Sequence, residues 1–557
     1  MGMERTYPWR DAYPEGLLPD APLEDFPVHS VVEDAAGTWP DKTAVIFRDT
    51  TLTFSELNQE VSRAARAFAS AGVSEGVRVA LLLPNTIYHF AAFFGVLKAG
   101  GTVVHLSPLD SPRVILHKLA DSGARLLVTT NIGEMAVKAT ELAKAGLVDR
   151  IIVGDDAAFG PSPMTGPMPE GDHVETFADF VANNDRPAAL PSFGTDRLAL
   201  LQYTGGTTGM PKGAMLTHRN LSTAVSSYDL WFDAWGLMRE AQERVLLFLP
   251  LFHIYALTAV MLRCVRNGQT LVVHTRFDPE TALNEIEAGA TSFPGVPTMW
   301  IAIAATPGFE KRNLSSLRYC ASGGAPMPVE VAKRLKAATG HDILGGWGMT
   351  ETSPAGTNIP TTRPDKVGTI GVPLPGIYLD VVALDDTSRV LPQGETGELR
   401  VFGPNVTAGY LNRDEENASA FSDGGFLTGD IGFMDEEGFF TIVDRKKDMI
   451  ISGGFNIYPQ MVEQAIYEHP DVEEVLVIGI ADGYRGEAAK AFVKLRTGAT
   501  PFSLDELRGF LDGRVGRHEM PAALEFRDAL PRTPVGKLSK IDLKQEEAAR
   551  HQAARAS

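Results

Sequence analysis

Cysteine is nearly absent: Cys264 and Cys320 are the only two in 557 residues, and they lie far apart in sequence. That leaves no disulfide framework or thiolate cage to build a fold on, and it fits a reducing compartment. Excess positive charge is lacking as well. Lys and Arg total 51 against 70 Asp and Glu, a formal charge of −19, which argues against nucleic acid or an anionic membrane as partner. An anionic ligand would need local basic residues to draw it in against that field. Residues 1–20 are charged and proline-rich without an apolar core, so no secretory leader is expected and a cytoplasmic location is. Met1-Gly-Met-Glu-Arg-Thr6 meets the loose myristoylation pattern and is read as coincidence. Long hydrophobic runs are scarce too. The longest, Val245 to Leu262, is interrupted by Pro250 and His253 and closed by Arg263 and Arg266. It reads as a strand followed by a buried helix rather than a bilayer span, which leaves at most peripheral membrane contact.

What is present is a large α/β chain. At 557 residues it exceeds one ordinary core, so two or more lobes are expected. Short apolar runs at Thr43–Phe47, Arg78–Leu83, Thr102–Leu106, Arg125–Thr129 and Arg150–Val153 alternate with helical patterns. Thr53-Phe-Ser-Glu56 is a capping box opening a helix to about Ala71, and a second helix near Tyr88–Lys98 ends at Gly100-Gly101. Such alternation implies parallel sheets covered by helices. After Gly371–Gly376 shorter runs, Tyr378–Ala383, Glu398–Val401 and Phe439–Val443, suggest a small β-rich subdomain. A basic turn, Asp444–Asp448, then precedes an α+β pattern: helix Pro459–Glu468, strands Val472–Ile480 and Ala488–Leu495, helix Leu504–Val515. The boundary is placed at Lys447, giving a large N-terminal domain of stacked αβ sheets (1–447) and a small mobile α+β C-terminal domain (448–557). The Ala/Glu/Arg-rich tail is expected to fray.

The chemistry is concentrated in five motifs. Tyr203-Thr-Gly-Gly-Thr-Thr-Gly-Met-Pro-Lys-Gly213 follows the apolar run Leu198–Gln202. Glycines and hydroxyls in a tight loop, closed by a lysine, suit a polyphosphate, which needs many short donors and a mobile cation. It is not a Walker A loop, because Lys212 follows Pro211 and Gly213 stands where Ser or Thr should be. Gly345-Gly-Trp-Gly-Met-Thr-Glu351 combines glycines that admit a flat base, the π-face of Trp347 and a hard carboxylate suited to Mg²⁺ on phosphate. Thr428-Gly-Asp430 can present a carboxylate to two ribose hydroxyls. Asp444-Arg-Lys-Lys-Asp448 runs on to Gly453-Gly454, and Pro531-Arg-Thr-Pro-Val-Gly-Lys537 presents one lysine on a proline-bracketed loop.

In this order the motifs resemble those of the adenylate-forming superfamily of acyl-CoA and aryl-CoA synthetases, adenylation domains and luciferases. The resemblance runs from about Phe26 to Lys540 and is strongest to bacterial long-chain fatty acid–CoA ligases. It implies ATP, Mg²⁺ and coenzyme A as cofactors and a carboxylic acid substrate. It also implies phosphate and nucleotide contacts from Thr204, Gly205, Gly206, Thr207, Thr208 and Lys212, and an adenine-side segment at Gly323, Gly324 and Ala325. Gly346, Trp347 and Gly348 would flank the base, with Thr350 at the α-phosphate and Glu351 at the metal. Asp430 would hold the ribose, Arg445 would reach ribose or phosphate, Lys447 would act as the hinge, and Gly453 and Gly454 would line a pantetheine tunnel. Lys537 would bridge the carboxylate and the α-phosphate, and His253, in Leu249–Leu257, would lie beside the reacting carboxyl.

The expected reaction makes an acyl-adenylate and then a thioester. The apolar and aromatic words around His253 and Phe293–Trp300 favour an alkyl or aryl acid over a small polar one, and the resemblance to fatty acid–CoA ligases implies a long- or medium-chain acid. Arg263, Arg266 and Arg276 keep dicarboxylic acids open, and aryl acids remain open too. Rival readings are an acyl-AMP ligase loading a carrier protein, a luciferase-type oxidation and a catalytically silent nucleotide sensor. A homodimer is compatible with the sequence.

Overall fold

The strand–helix alternation of the first two hundred residues closes, in the computed structural model, into a seven-stranded sheet. The structure describes residues 5–184, 190–204, 210–237, 243–324, 327, 329–452, 455–482, 484–532 and 538–556. The strands run in the order Val174–Thr176, Arg150–Gly154, Leu126–Thr130, Arg78–Leu82, Thr102–Leu106, Leu198–Thr204 and Lys212–Thr217. All neighbours are parallel except the last pair, which is antiparallel. The central strands Arg78–Leu82 and Thr102–Leu106 are mostly apolar and, Arg78 apart, buried, as a sheet covered on both faces requires.

The expected capping box forms. Thr53 Oγ1 accepts from Glu56 N at 3.2 Å, and the Glu56 carboxylate accepts from Thr53 N at 2.8 Å, opening helix Phe54–Ser70. That helix packs on Ile87–Lys98, where a Cβ on Gly95 would lie 2.9 Å from Ala64 Cβ, so the helices meet at a glycine.

A nine-stranded sheet has Thr50–Thr53, Thr43–Phe47, Thr270–Val273, Arg244–Leu247, Ser292–Gly295, Tyr319–Ser322, Ile343–Trp347, Thr357–Asn358 and Val372–Pro373 in order. The inner strands are parallel and both edges antiparallel. The long apolar run resolves into strand Arg244–Leu247, a π-helical stretch Tyr255–Leu262 and α-helix Arg263–Arg266. Among the described residues no helix is long and apolar enough to cross a membrane. The β-rich insertion is a five-stranded sheet, Tyr378–Val382, Gly397–Phe402, Gly425–Met434 and Phe421–Ser422, with Phe440–Arg445 on the third strand.

The chain separates into two compact units. The first holds Met1–Leu379, Val401–Phe426 and Glu437–Phe439; the second holds Asp380–Arg400, Leu427–Glu436 and Phe440–Ser557. The second unit is α+β, as expected. Its long hairpin, Val472–Asp482 with Gly486–Leu495, is extended by Ile450–Ser452, Phe455–Ile457 and Ala523–Phe526. Two local expectations fail. The helix at Leu504 stops at Leu511, because Asp512 turns extended and Gly513 takes a positive φ of 76°. The tail does not fray but forms helix Ile541–Ala556. Leu543 is fully buried with Leu476, Ile478 and Phe492, and Arg550 pairs with Glu525 at 2.8 Å, which fixes the helix.

Within the first unit one buried amide ties the strand ends of both large sheets together. Asn85 Nδ2 donates to the carbonyls of Leu247, Leu249 and His274 at 3.3, 2.9 and 3.2 Å, and its Oδ1 accepts from Leu251 N at 2.8 Å. Removing it strands several buried backbone groups, each worth about 1–3 kcal/mol when unpaired. Asn85→Ala is therefore expected to destabilise the first unit by about 3 kcal/mol, read as an earlier denaturant midpoint. Asn85→Asp should fare no better, since a carboxylate would face three carbonyl oxygens.

Candidate active site

The antiparallel return of strand Lys212–Thr217 along Leu198–Thr204 puts Lys212 opposite Thr204. The connecting residues 205–209, with Gly205, Gly206, Thr207 and Thr208, lie outside the described residues. Both ends of that connection are anchored from behind. A Cβ on Gly213 would sit 3.1 Å from the Tyr203 ring, so glycine lets the strand lie on the phenol. Tyr203 donates its OH to Asp121 Oδ2 at 2.9 Å, and burial together with that bond pushes the phenol's pKa up. Arg413 holds the same carboxylate at 3.2 Å, and His117 Nε2 donates to the Pro211 carbonyl at 2.8 Å. Lys212 is half-buried; its Nζ lies 3.3 Å from Glu416 Oε1 and 5.6 Å from the Tyr410 ring centroid.

Glu351 reaches the same place from another direction. Strand Ile343–Trp347 ends in a short 3₁₀ turn, Thr350–Thr352, and buries Glu351 to 5% exposure. Its Oε1 accepts from Tyr410 OH at 2.7 Å. Its carbonyl accepts from Thr407 N at 2.7 Å, while Thr407 Oγ1 donates to the Met215 carbonyl at 2.7 Å. Asn405, fully buried, donates its side-chain Nδ2 to the Thr352 and Ala355 carbonyls at 2.7 and 2.8 Å, and its main-chain carbonyl accepts from Ser353 Oγ at 2.9 Å. Segment 403–411 is thus a seam joining the lysine strand to the glutamate turn.

Among the described residues no group of three His, Cys, Asp or Glu side chains gathers to hold a metal. A hard carboxylate in the neighbourhood of a lysine fits Mg²⁺, which is commonly held by one or two carboxylates plus substrate phosphate and water. The residues present therefore fit that ion, which Glu351 would hold.

The glycines of the second motif meet the protein's own backbone. A Cβ on Gly346 would lie 2.6 Å from the Thr357 carbonyl, and one on Gly348 would coincide with the Pro354 carbonyl. Trp347 is half-buried, and its N–H donates to Thr357 Oγ1 at 3.2 Å. A Cβ on Gly323 would lie 3.0 Å from the Tyr255 ring, and Gly324 has φ +80°; Ala325 lies outside the described residues. His253 is half-buried, and its Nδ1 accepts from Tyr255 N at 3.3 Å. The loop before it is held by Gln202, which donates to the Phe252 carbonyl at 2.8 Å and meets His105 Nδ1 at 2.9 Å. Burial pushes His105 down to about 4, so that ring is neutral.

In the second unit Thr428-Gly-Asp430 lies on strand Gly425–Met434. Gly429 takes φ +70°, and its N–H donates to Glu398 Oε1 at 3.0 Å. Asp430 is almost fully buried, sits opposite Arg445 across the strand pair and binds its guanidinium at 2.6 Å. Lys447 is exposed in the turn that follows, and its carbonyl accepts from Lys544 Nζ at 3.4 Å. Gly453, Gly454 and Lys537 lie outside the described residues.

Sequence reasoning missed Tyr410, Asn405, Thr407 and Glu416. Their sole signal was a dense run of turn formers, Gly403-Pro-Asn-Val-Thr-Ala-Gly409, just ahead of the tyrosine.

With this geometry in place, comparison with known proteins is informative. Residues 32–411 match the family model described as AMP-binding enzyme, and residues 461–537 match AMP-binding enzyme C-terminal domain. The long-chain-fatty-acid–CoA ligase of Bacillus subtilis (strain 168) is 37% identical over 99% of this chain and 100% of its own. A feruloyl-CoA synthase of Amycolatopsis sp is 38% identical over 91% of this chain and 98% of its own. The o-succinylbenzoate coenzyme A synthetase of Bacillus subtilis, solved with ATP and a magnesium ion, superposes with TM-score 0.78 at 30% identity, covering 92% of this chain and 99% of that one. The chain belongs to the AMP-binding enzyme family, and within it to the acid–CoA ligases.

Proposed function

We propose that this protein is a long- or medium-chain fatty acid–CoA ligase that forms AMP and diphosphate. The observation that carries this reading is the seam uniting Lys212, Tyr410 and Glu351, in a chain similar over nearly its full length to such a ligase. The reaction needs no nucleophilic side chain. The substrate carboxylate attacks the α-phosphorus of ATP as diphosphate departs, and the protein contributes positioning and charge neutralisation. Mg²⁺ bound at Glu351 would neutralise phosphate charge. Thr204, Gly205, Gly206, Thr207, Thr208 and Lys212 cradle the phosphates, and Thr350 donates to the α-phosphate. Gly323, Gly324, Ala325, Gly346, Trp347 and Gly348 border the adenine, while Asp430 and Arg445 take the ribose. His253 lies beside the reacting carboxyl.

In the same proposal residues 1–447 form the nucleotide and acid domain and 448–557 a cap that pivots at Lys447. The family matches at 32–411 and 461–537 support the division. Lys537 serves the first half-reaction, and Gly453-Gly454 line the thiol's path in the second. The protein works in the cytoplasm, without nucleic acid, as a monomer or homodimer with at most peripheral membrane contact. A monocarboxylic acid is favoured because two of the three candidate arginines already have partners. Arg263 Nε donates to the Ala259 carbonyl at 3.2 Å, and Arg266 pairs with Asp229 at 3.1 Å. The feruloyl-CoA synthase relatives support a second reading, an aryl acid.

Acid-dependent diphosphate release across straight-chain, dicarboxylic and aryl acids, with and without CoA, decides between them. Long- and medium-chain acids are expected to give the highest kcat/KM, with a CoA thioester as product. Release without any thioester would move the protein to the carrier-loading ligases. Lys537→Ala should cut the adenylation rate about 10²–10³-fold while leaving thioester formation from preformed acyl-adenylate largely intact; equal loss of both halves would refute the division of labour. Because the Lys212–Glu416 pair is half-exposed, and such pairs are weak, Glu416→Gln should lower the KM for ATP by about twofold.

A further inference from the structure

Two catalytic charges of opposite sign share one neutral neighbour. Tyr410 donates its hydroxyl to Glu351 Oε1 at 2.7 Å, and the Lys212 ammonium stands 5.6 Å from the centroid of the same ring. Nothing in the five motifs includes this residue, yet its own placement is tightly specified. Its N–H donates to Asn417 Oδ1 at 2.7 Å, and its carbonyl accepts from Asn417 Nδ2 at 2.8 Å, so one amide grips both sides of the peptide. Tyr410 also forms a bridge with Ala214, flanked by Met215 N donating to the Gly409 carbonyl at 3.0 Å and Leu411 N donating to the Gly213 carbonyl at 2.9 Å. Gly409, with φ +137°, leaves room for the Asn417 amide, which a Cβ there would approach to 2.6 Å. A ring fixed so firmly to the lysine strand, with its hydroxyl on the glutamate of a different segment, transmits the position of one to the other.

We propose that Tyr410 is a positioning residue that sets Glu351 for the magnesium–nucleotide complex through its hydroxyl and steadies Lys212 through its ring. The hydroxyl's bond to one carboxylate oxygen fixes the rotamer of Glu351 and so the orientation of the carboxylate that would meet the metal. A hydrogen bond to a charged group is among the stronger ones, and ligand orientation by such partners governs metal affinity. The ring attracts the ammonium through its quadrupole without neutralising it, so the lysine stays near the loop yet free to pair with phosphate. The proposal rests on the reading of Glu351 as the metal carboxylate, and the test separates the two.

The experiment titrates Mg²⁺ against binding of ATP to the full-length protein in the absence of acid and CoA, then against turnover. Four proteins are compared: wild type, Tyr410→Phe, Tyr410→Leu and Glu351→Gln, each checked for an unchanged melting temperature. Tyr410→Phe keeps the ring and should raise the half-saturating Mg²⁺ about tenfold with the KM for the acid unchanged. Tyr410→Leu should show the same Mg²⁺ shift plus a several-fold weaker metal-free binding of ATP, because the lysine's support is gone. If Glu351→Gln leaves the Mg²⁺ titration unmoved, the metal role of Glu351 fails. If Glu351→Gln shifts it and Tyr410→Phe does not, the inference about Tyr410 is overturned while that role stands. A variant whose melting temperature drops is replaced by Asn417→Asp, which loosens the Tyr410 peptide without touching the ring and should reproduce the Mg²⁺ shift in part; no shift there counts against the proposal.

Discussion

Backbone hydrogen bonds of segment 403–411 decide where the charges of the candidate site lie. Thr407 donates its N–H to the Glu351 carbonyl and its Oγ1 hydroxyl to the Met215 carbonyl, each bond 2.7 Å long. Leu411 N reaches the Gly213 carbonyl at 2.9 Å. The lysine strand and the glutamate turn are more than 130 positions apart in the chain, and neither carries a feature that would bring it to the other. Both are instead edges that the same third strand-like segment satisfies. Since unpaired buried amides are costly, the seam closes or the region does not fold. Site geometry is thereby fixed by main-chain groups, which do not change with ligand, and charge stabilisation by preset groups needs no reorganisation during the reaction.

The charge balance follows the same logic locally. A protein of net charge −19 does not attract a nucleotide by its overall field. Its candidate phosphate and ribose groups are held by pairs. Lys212 meets Glu416 at 3.3 Å with both side chains well exposed, and Arg445 meets the buried Asp430 at 2.6 Å. The first pair is weak in water and readily exchanged for phosphate, whereas the second orients a carboxylate in a buried place. One lysine is therefore ready to change partner, and one aspartate is preset.

How far such a site can be read from sequence depends on the range of the interactions that make it. Strands such as Thr43–Phe47 and Thr102–Leu106 were legible to the residue, because their apolar runs are buried from both sides. The Thr53–Glu56 capping box was legible because it is complete within four residues. Lys212, Glu351 and Asp430 stood out as chemistry, since a cation beside glycines suits phosphate and carboxylates suit a hard cation or sugar hydroxyls. Tyr410 was not, because its hydroxyl partner lies 59 positions away and its ring partner further still. The tail was misread for the same reason. An Ala/Glu/Arg-rich run predicts fraying from local composition, but a single leucine buried against Leu476, Ile478 and Phe492 fastens it.

The glycines of Gly345–Gly348 carry a lesson about what a motif proves. From sequence they invite the reading that a ligand's flat base approaches bare backbone. In the fold, the space a side chain would need at Gly346 is taken by the Thr357 carbonyl, and at Gly348 by the Pro354 carbonyl. Both glycines are required before any nucleotide is bound, because strand Ile343–Trp347 and its return through Thr357–Asn358 are packed that closely. A chain could thus keep this pattern for folding alone. The discriminating residues are those that the fold does not need, namely a carboxylate buried beside a phenol and a lysine left half in water. Neither contributes to packing what an apolar side chain would, so their joint presence at one seam is the observation for which chemistry, rather than stability, supplies the reason.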